Sequence, residues 1–144
     1  MTNSRRTRSA ADVAVGYAAD DRGNGIAFAA ISTGNATGIV RLSFSAPPLP
    51  GLEGLECGYA AVAAVGAHAK GRGFGRVRIR IGDARVVADL NGAGSPPKSL
   101  AMAYVKIRCI LHGLGSVRLE VGEPVEIRDL AARANAEVQL HVAA

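Results

Sequence analysis

The sequence has no tryptophan, three phenylalanines, three tyrosines and only two cysteines in 144 residues. Lysine occurs only at Lys70, Lys98 and Lys106, while alanine, glycine, valine and arginine are used heavily, a bias that reads as that of a GC-rich genome. No apolar run approaches the ~20 residues that a membrane helix needs, so no membrane partner is expected. The first twelve residues are basic but have no apolar stretch behind them, which is not the pattern of a secretory signal. Cys57 and Cys109 have no CxxC spacing and no nearby histidine, which excludes the usual zinc and dithiol motifs. Both fall in predicted helices and are expected to be reduced core thiols of a cytoplasmic protein. His68, His112 and His141 are isolated from one another and from the cysteines, so no metal-ligand spacing arises; His112 falls at a predicted helix end, where a cation suits the dipole. No serine stands in a GxSxG elbow, which leaves nucleophilic hydrolase chemistry without support.

What remains is globular in composition. Hydrophobic residues make up 49% and charged residues 20%, and the length suffices for one domain with a real core. The formal net charge of +5 favours a polyanionic partner. Residues 1–11, with Arg5, Arg6 and Arg8, read as a basic flexible arm, and residues 12–144 as the folded domain.

Hydrophobic periodicity orders that domain. Residues 12–17, 26–32 and 38–45 read as three strands joined by the turn clusters 20–25 and 33–37, hence an antiparallel meander. A proline-rich loop over 46–54 follows. Leu55, Tyr59, Val62 and Gly66 then recur at helical spacing, and glycines at 71–75 end that helix. Val77, Ile79 and Ile81 alternate with Arg76, Arg78 and Arg80, a strand that closes at Asp83. A short helix begins at Ala84 with the Asp83 carboxylate at its N-terminus. Leu100, Tyr104, Ile107, Leu111 and Leu114 mark a second long helix, with Ser99 as its expected cap. Residues 117–121 alternate as a strand, and Ile127, Leu130, Ala134 and Val138 mark a final helix. The order β-β-β-α-β-α-α-β-α predicts an α/β fold with a mixed five-stranded sheet, a three-strand antiparallel meander plus two parallel strands, and helices on both faces.

This order resembles the ribonuclease H-like fold, and in detail type I ribonuclease H, over residues 12–143. The segment IGDARVVADLNG (81–92) is similar to that family's strand, Gly-Asp-Ser and helix. CGYAAVAAVGAHAKG (57–71) resembles its first helix, VRLEV (117–121) its fifth strand and IRDLAARANAE (127–137) its last helix. The resemblance implies four carboxylates around two divalent ions, Mg²⁺ or Mn²⁺, which activate water and stabilise the leaving oxygen of a phosphodiester. Mg²⁺ takes hard oxygen ligands, so the carboxylates must converge.

Set against that pattern, Ala18 stands where the first aspartate belongs and Gly58 where the glutamate belongs. Asp83 fills the third position. Asp129 fills the fourth if the loop after Val121 is short, and Gln139 falls there if it is long. Asp83 and Asp129 are therefore the candidate metal ligands. Asp20, two residues past Ala18, shares its side of an extended strand and is the candidate replacement. Asp21 points the other way, Glu56 lies about 200° around the helix from Gly58, and Glu53 precedes the helix. Asp83 also reads as a plain helix N-cap, and Asp129 as a surface partner of Arg133.

The run KGRGFGRVRIR (70–80) carries five positive charges interleaved with glycine. Arginine forks match phosphate oxygens, and glycine lets backbone approach them. Lys70, Arg72, Arg76 and, from the next loop, Lys98 are the candidate nucleic-acid contacts. The leading expectation is a ribonuclease H-like protein that binds RNA, DNA or their hybrid without cleaving it and with no cofactor. Two alternatives stand beside it. One is a divergent Mg- or Mn-dependent ribonuclease acting on RNA–DNA hybrids through Asp83, Asp129 and Asp20. The other is a protein-interaction scaffold or homodimer that pairs through the apolar meander strand 38–45.

Overall fold

The computed structural model describes residues 9–143, with side chains through Leu140. The first eight residues of the expected basic arm, including Arg5, Arg6 and Arg8, lie outside the described residues. Three strands open the chain, β1 (Ala10–Ala19), β2 (Asn24–Ser32) and β3 (Thr37–Ser45). Then come α1 (Leu55–Gly71), β4 (Arg76–Ile81), α2 (Ala84–Leu90), a 3₁₀ turn (Lys98–Leu100), α3 (Ala101–Gly113), β5 (Ser116–Val121) and α4 (Pro124–Ala143). The sheet order is β3-β2-β1-β4-β5. β1–β2 and β2–β3 are antiparallel, while β1–β4 and β4–β5 are parallel, with Val15 opposite Ile81 and Ile79 opposite Leu119. The element order and the mixed five-stranded sheet are those expected from periodicity. No helix among the described residues is long and apolar enough to cross a membrane.

β1 and α4 are among the elements that begin earlier than patterning suggests. β1 starts at Ala10, because Ala10 and Ala11 pair with Arg76 and Val77; alanines carry little strand signal of their own. α4 starts at Pro124, a residue pre-set for the first helical position. The expected Ser99 cap does not form. Leu100 N–H bonds to the Pro97 carbonyl at 2.9 Å, closing a 3₁₀ turn that places Ser99 inside it, and α3 starts without a side-chain cap. The cysteines also depart from expectation: Cys57 is half-buried and Cys109 exposed, since Ile107 and Leu111 hold the inward face of α3.

Helices pack on both faces of the sheet. On one, Val13, Val15, Ala27, Ala29, Val77, Ile79 and Ile81 meet Leu55, Tyr59, Val62 and Val65 of α1 and Ile107 and Leu111 of α3. On the other, Ala14, Ile26 and Phe28 meet Leu130, Ala134 and Val138 of α4. That second layer is close. A Cβ on Gly16 of β1 would lie 2.2 Å from the Ala131 backbone nitrogen, so only glycine lets helix and strand meet there. Arg133 lies over the Phe28 ring at 4.8 Å, a cation–π contact in place of the expected Asp129 pairing.

One buried polar pair ties α1 to α2. The Tyr59 hydroxyl donates to Asp89 Oδ2 at 2.6 Å, and the two residues are 1% and 2% exposed. Burial, then the bond to Asp89, pushes the Tyr59 hydroxyl well above the ordinary phenol range. Tyr59→Phe would leave the buried carboxylate without this donor, an expected loss of about 1–3 kcal/mol in denaturant unfolding. The pair also sets an alkaline limit. The unfolded chain releases this proton near pH ~10 while the folded chain holds it, so the contribution is complete below that pH and lost as pH rises toward the folded value. The stability gap between wild type and Tyr59→Phe should therefore shrink above pH ~10 and stay flat between neutrality and about 9.

Candidate functional site

β4 ends at Ile81, and Asp83 follows in extended backbone. Its Oδ1 accepts the N–H groups of Arg85 at 2.9 Å and Val86 at 3.3 Å, so it caps α2. Asp83 is half-exposed in a shallow cleft of about 550 Å³ at the carboxyl ends of β1 and β4, walled by Gly16, Tyr17, Gly82, Ile127 and Ala131. Ligands of open α/β sheets bind at such a place.

Among the described residues, the cleft is lined by two titratable residues, Asp83 and Tyr17, with backbone adding polar surface. Tyr17 alternates with Val13 and Val15 and so faces α1, where it packs onto the main core. A Cβ on Gly58, near the start of α1, would lie 2.5 Å from Val86 Cγ2 and 2.9 Å from the Tyr17 hydroxyl. The phenol and the valine thus fill the space that a longer side chain at Gly58 would need. Burial, then the Asp83 charge, then Cys57, drives the Tyr17 hydroxyl far above its ordinary range, which keeps it a neutral donor. Ala18 packs its methyl group against the α4 layer. Ile127 reaches across the ends of β4 and β5, where a Cβ on either Gly82 or Gly122 would meet its side chain at 2.9 Å.

The other acids named from the sequence lie elsewhere. Asp20 closes the β1–β2 hairpin, accepting the N–H groups of Arg22 and Asn24 at 2.9 Å each and the Asn24 side-chain amide at 3.4 Å. Desolvation acts to raise its pKa, but the bonds from Asn24, Arg22 and Gly23 together hold the carboxyl below the usual carboxylate range. With Asp21, Arg22 and Arg41 it lines a separate depression on the hairpin. Glu56 is buried, and its Oε2 accepts the Leu49 N–H at 3.2 Å, fastening the proline-rich loop. Glu53 is exposed, in a left-handed conformation with φ of 53°. Asp129 is exposed on α4, about 200° around the helix from both Ile127 and Ala131, the residues that line the cleft. Gln139 is exposed farther along α4. Asp83 therefore shares its cleft with Tyr17 and not with Asp20, Glu56 or Asp129. Among the described residues no three His, Cys, Asp or Glu side chains converge as a metal site.

The basic candidates occupy another region. Lys70 is exposed in the last turn of α1, and Arg72 lies over the Phe74 ring at 5.3 Å. Arg76 opens β4. Six strand residues span about 20 Å, so Arg76 and Asp83 sit at opposite ends of the sheet. Lys98 stands apart from both, in the turn before α3. Arg78 pairs with Glu120 and lies 3.7 Å from Asp12, and Arg80 bonds Glu126 at 3.2 Å. Tyr17 and Ile127 were missed as cleft residues, because strand and helix periodicity marks them only as inward-facing.

No protein-family model matches the sequence, and no curated protein sequence matches it either. Solved structures do. An N-terminal RNase H domain from Mycobacterium tuberculosis, solved as a fusion with maltose-binding protein, superposes with a TM-score of 0.69 at 12% identity, covering 88% of this chain and 97% of that one. RNase H1 from the halophilic archaeon Halobacterium salinarum NRC-1 gives 0.67 at 19% identity, covering 90% and 97%. LC11-RNase H1, solved in complex with an RNA/DNA hybrid, gives 0.66 at 11% identity, covering 92% and 99%. At such identities the likeness speaks for the backbone, and the backbone of this chain is a ribonuclease H-like fold.

Proposed function

We propose that this protein binds nucleic acid on a ribonuclease H-like scaffold whose two-metal site is incomplete, and that it does not cleave. The observation that carries this reading is the donor set of the cleft. Among the described residues Asp83 is the one carboxylate lining it, and its Oδ1 is already engaged by two backbone N–H groups. A pair of Mg²⁺ ions needs several converging hard oxygens. The neighbours offered here are a neutral phenol, a glycine pair, an isoleucine and two alanines, which do not fit two ions. The net charge of +5 and the hybrid bound by LC11-RNase H1 support RNA, DNA or their hybrid as the partner. A second reading, pairing of two copies through β3, has its own observation: β3 is an edge strand with Ile39 half exposed.

A labelled RNA–DNA hybrid titrated with Mg²⁺ and Mn²⁺ tests the first reading. Salt-sensitive binding without cleavage is expected. Cleavage that disappears in Asp83→Asn would defeat it. The packing at α1 gives a companion prediction. Gly58→Glu should destabilise the fold by about 1–3 kcal/mol through overlap with Val86 and Tyr17, and should not by itself yield hybrid cleavage. Thermal unfolding and the hybrid assay read the two effects separately.

A further inference from the structure

We propose that the phosphate backbone of the bound nucleic acid docks on the uncovered face of β4 and β5, with Arg76 and Arg118 as contact residues, and not in the Asp83 cleft. The inference rests on the nucleic-acid reading above and assigns it a place.

The geometry of α4 creates this surface. The helix packs on β1 and β2, and its first turns reach only the carboxyl ends of β4 and β5, where Ile127 meets Gly82 and Gly122. The amino-terminal halves of both strands stay open on that face, and Arg76, Arg78, Ser116 and Arg118 are all exposed. Arg76 is in register with Ser116 and Arg78 with Arg118. Two arginines directly opposite on neighbouring strands, about 4.8 Å apart, repel. Acids meet only part of that charge. Arg78 is held by Glu120 with Asp12 at 3.7 Å. Among the described residues, Arg76 and Arg118 have no carboxylate within salt-bridge distance.

These side chains line a depression of about 650 Å³ bordered by Asp12 and by Thr33 and Gly34 of the β2–β3 turn. It is open, which suits a polymer backbone better than an enclosed small molecule. Arg76 and Arg118 project from one face on neighbouring strands, two residues apart in register and about 8 Å between backbone positions, so their guanidinium forks can meet successive phosphates. Nearby backbone adds charge of the same sign. Lys70 lies in the last turn of α1 and Arg72 caps it, just ahead of β4. The Ser9 carbonyl accepts the Gly75 N–H at 3.3 Å, so the chain enters the sheet at this end. The sequence before Ser9 carries Arg5, Arg6 and Arg8 and no acid.

The opposite end of the sheet carries the acids. Asp20 and Asp21 lie at the hairpin, Asp83 follows β4, and Glu123 and Glu126 lie around the start of α4. Arg22, Arg85 and Arg128 offset part of that charge, so a polyanion meets more uncompensated positive charge on the arginine-bearing face than at this end.

The test compares full-length wild type with two double variants of equal charge change, R76A/R118A and, at sites away from the proposed surface, R22A/R128A. Anisotropy of labelled single-stranded RNA, single-stranded DNA and RNA–DNA hybrid is read across a salt series, with circular dichroism to verify folding. R76A/R118A should bind about tenfold more weakly at low salt, and its log–log salt slope should be shallower by about 1.5. R22A/R128A should stay within about twofold of wild type. Equal losses in both variants, or a larger loss in R22A/R128A, would overturn the assignment while leaving nucleic-acid binding intact. Absence of binding by wild type at low salt would remove the underlying reading and the assignment with it.

Discussion

The close approach of α4 to β1 is the constraint from which the carboxyl end of the sheet follows. A glycine at position 16 lets the helix backbone lie directly on the strand, with Leu130, Ala134 and Val138 closing over Ala14 and Phe28. Once that crossing is fixed, the helical repeat determines what else α4 presents. Ile127 arrives over Gly82 and Gly122, and Asp129, about 200° away, is carried to solvent. The same crossing leaves the beginnings of β4 and β5 without a covering helix. One packing contact thus accounts for a cleft walled by Ile127 and Ala131 at one end of the sheet and an arginine-bearing face at the other.

A second coupling lies on the other face. Tyr17, Gly58 and Val86 share one small volume between β1, α1 and α2. The tyrosine takes the room that the absent side chain leaves, and its hydroxyl remains protonated beside Asp83. The two residues are mutually consistent: a glycine where the phenol needs space, and a phenol where the glycine provides it. The buried Tyr59–Asp89 bond a few residues away then fixes the spacing of α1 and α2.

Much of this architecture was legible in the sequence, and the reasons are specific. β4 and α2 could be bounded because alternating valine and isoleucine stop at a Gly-Asp step, and Asp83 caps the helix that follows. β1 was bounded too short because its first residues are alanines whose strand character comes from pairing with Arg76 and Val77. The capping role of Ser99 failed because two prolines upstream set up a turn one residue before the helix. The candidate site was less legible. Which acids converge depends on where a hairpin closes and how α4 is rotated. Asp20 spends its oxygens on the β1–β2 turn, and no local pattern reports that. The separation of the arginines from Asp83 follows from strand length, but it needed the sheet order to give it meaning.

The capping bond at Asp83 has a consequence for how such chains are recognised. A carboxylate that holds two amide protons of a helix has a reason to persist that is indifferent to chemistry on phosphate. Serine, threonine or asparagine satisfies the same amides, so drift here is bounded by the needs of α2 alone. The side chain that most invites comparison with nucleases is therefore the least diagnostic of one.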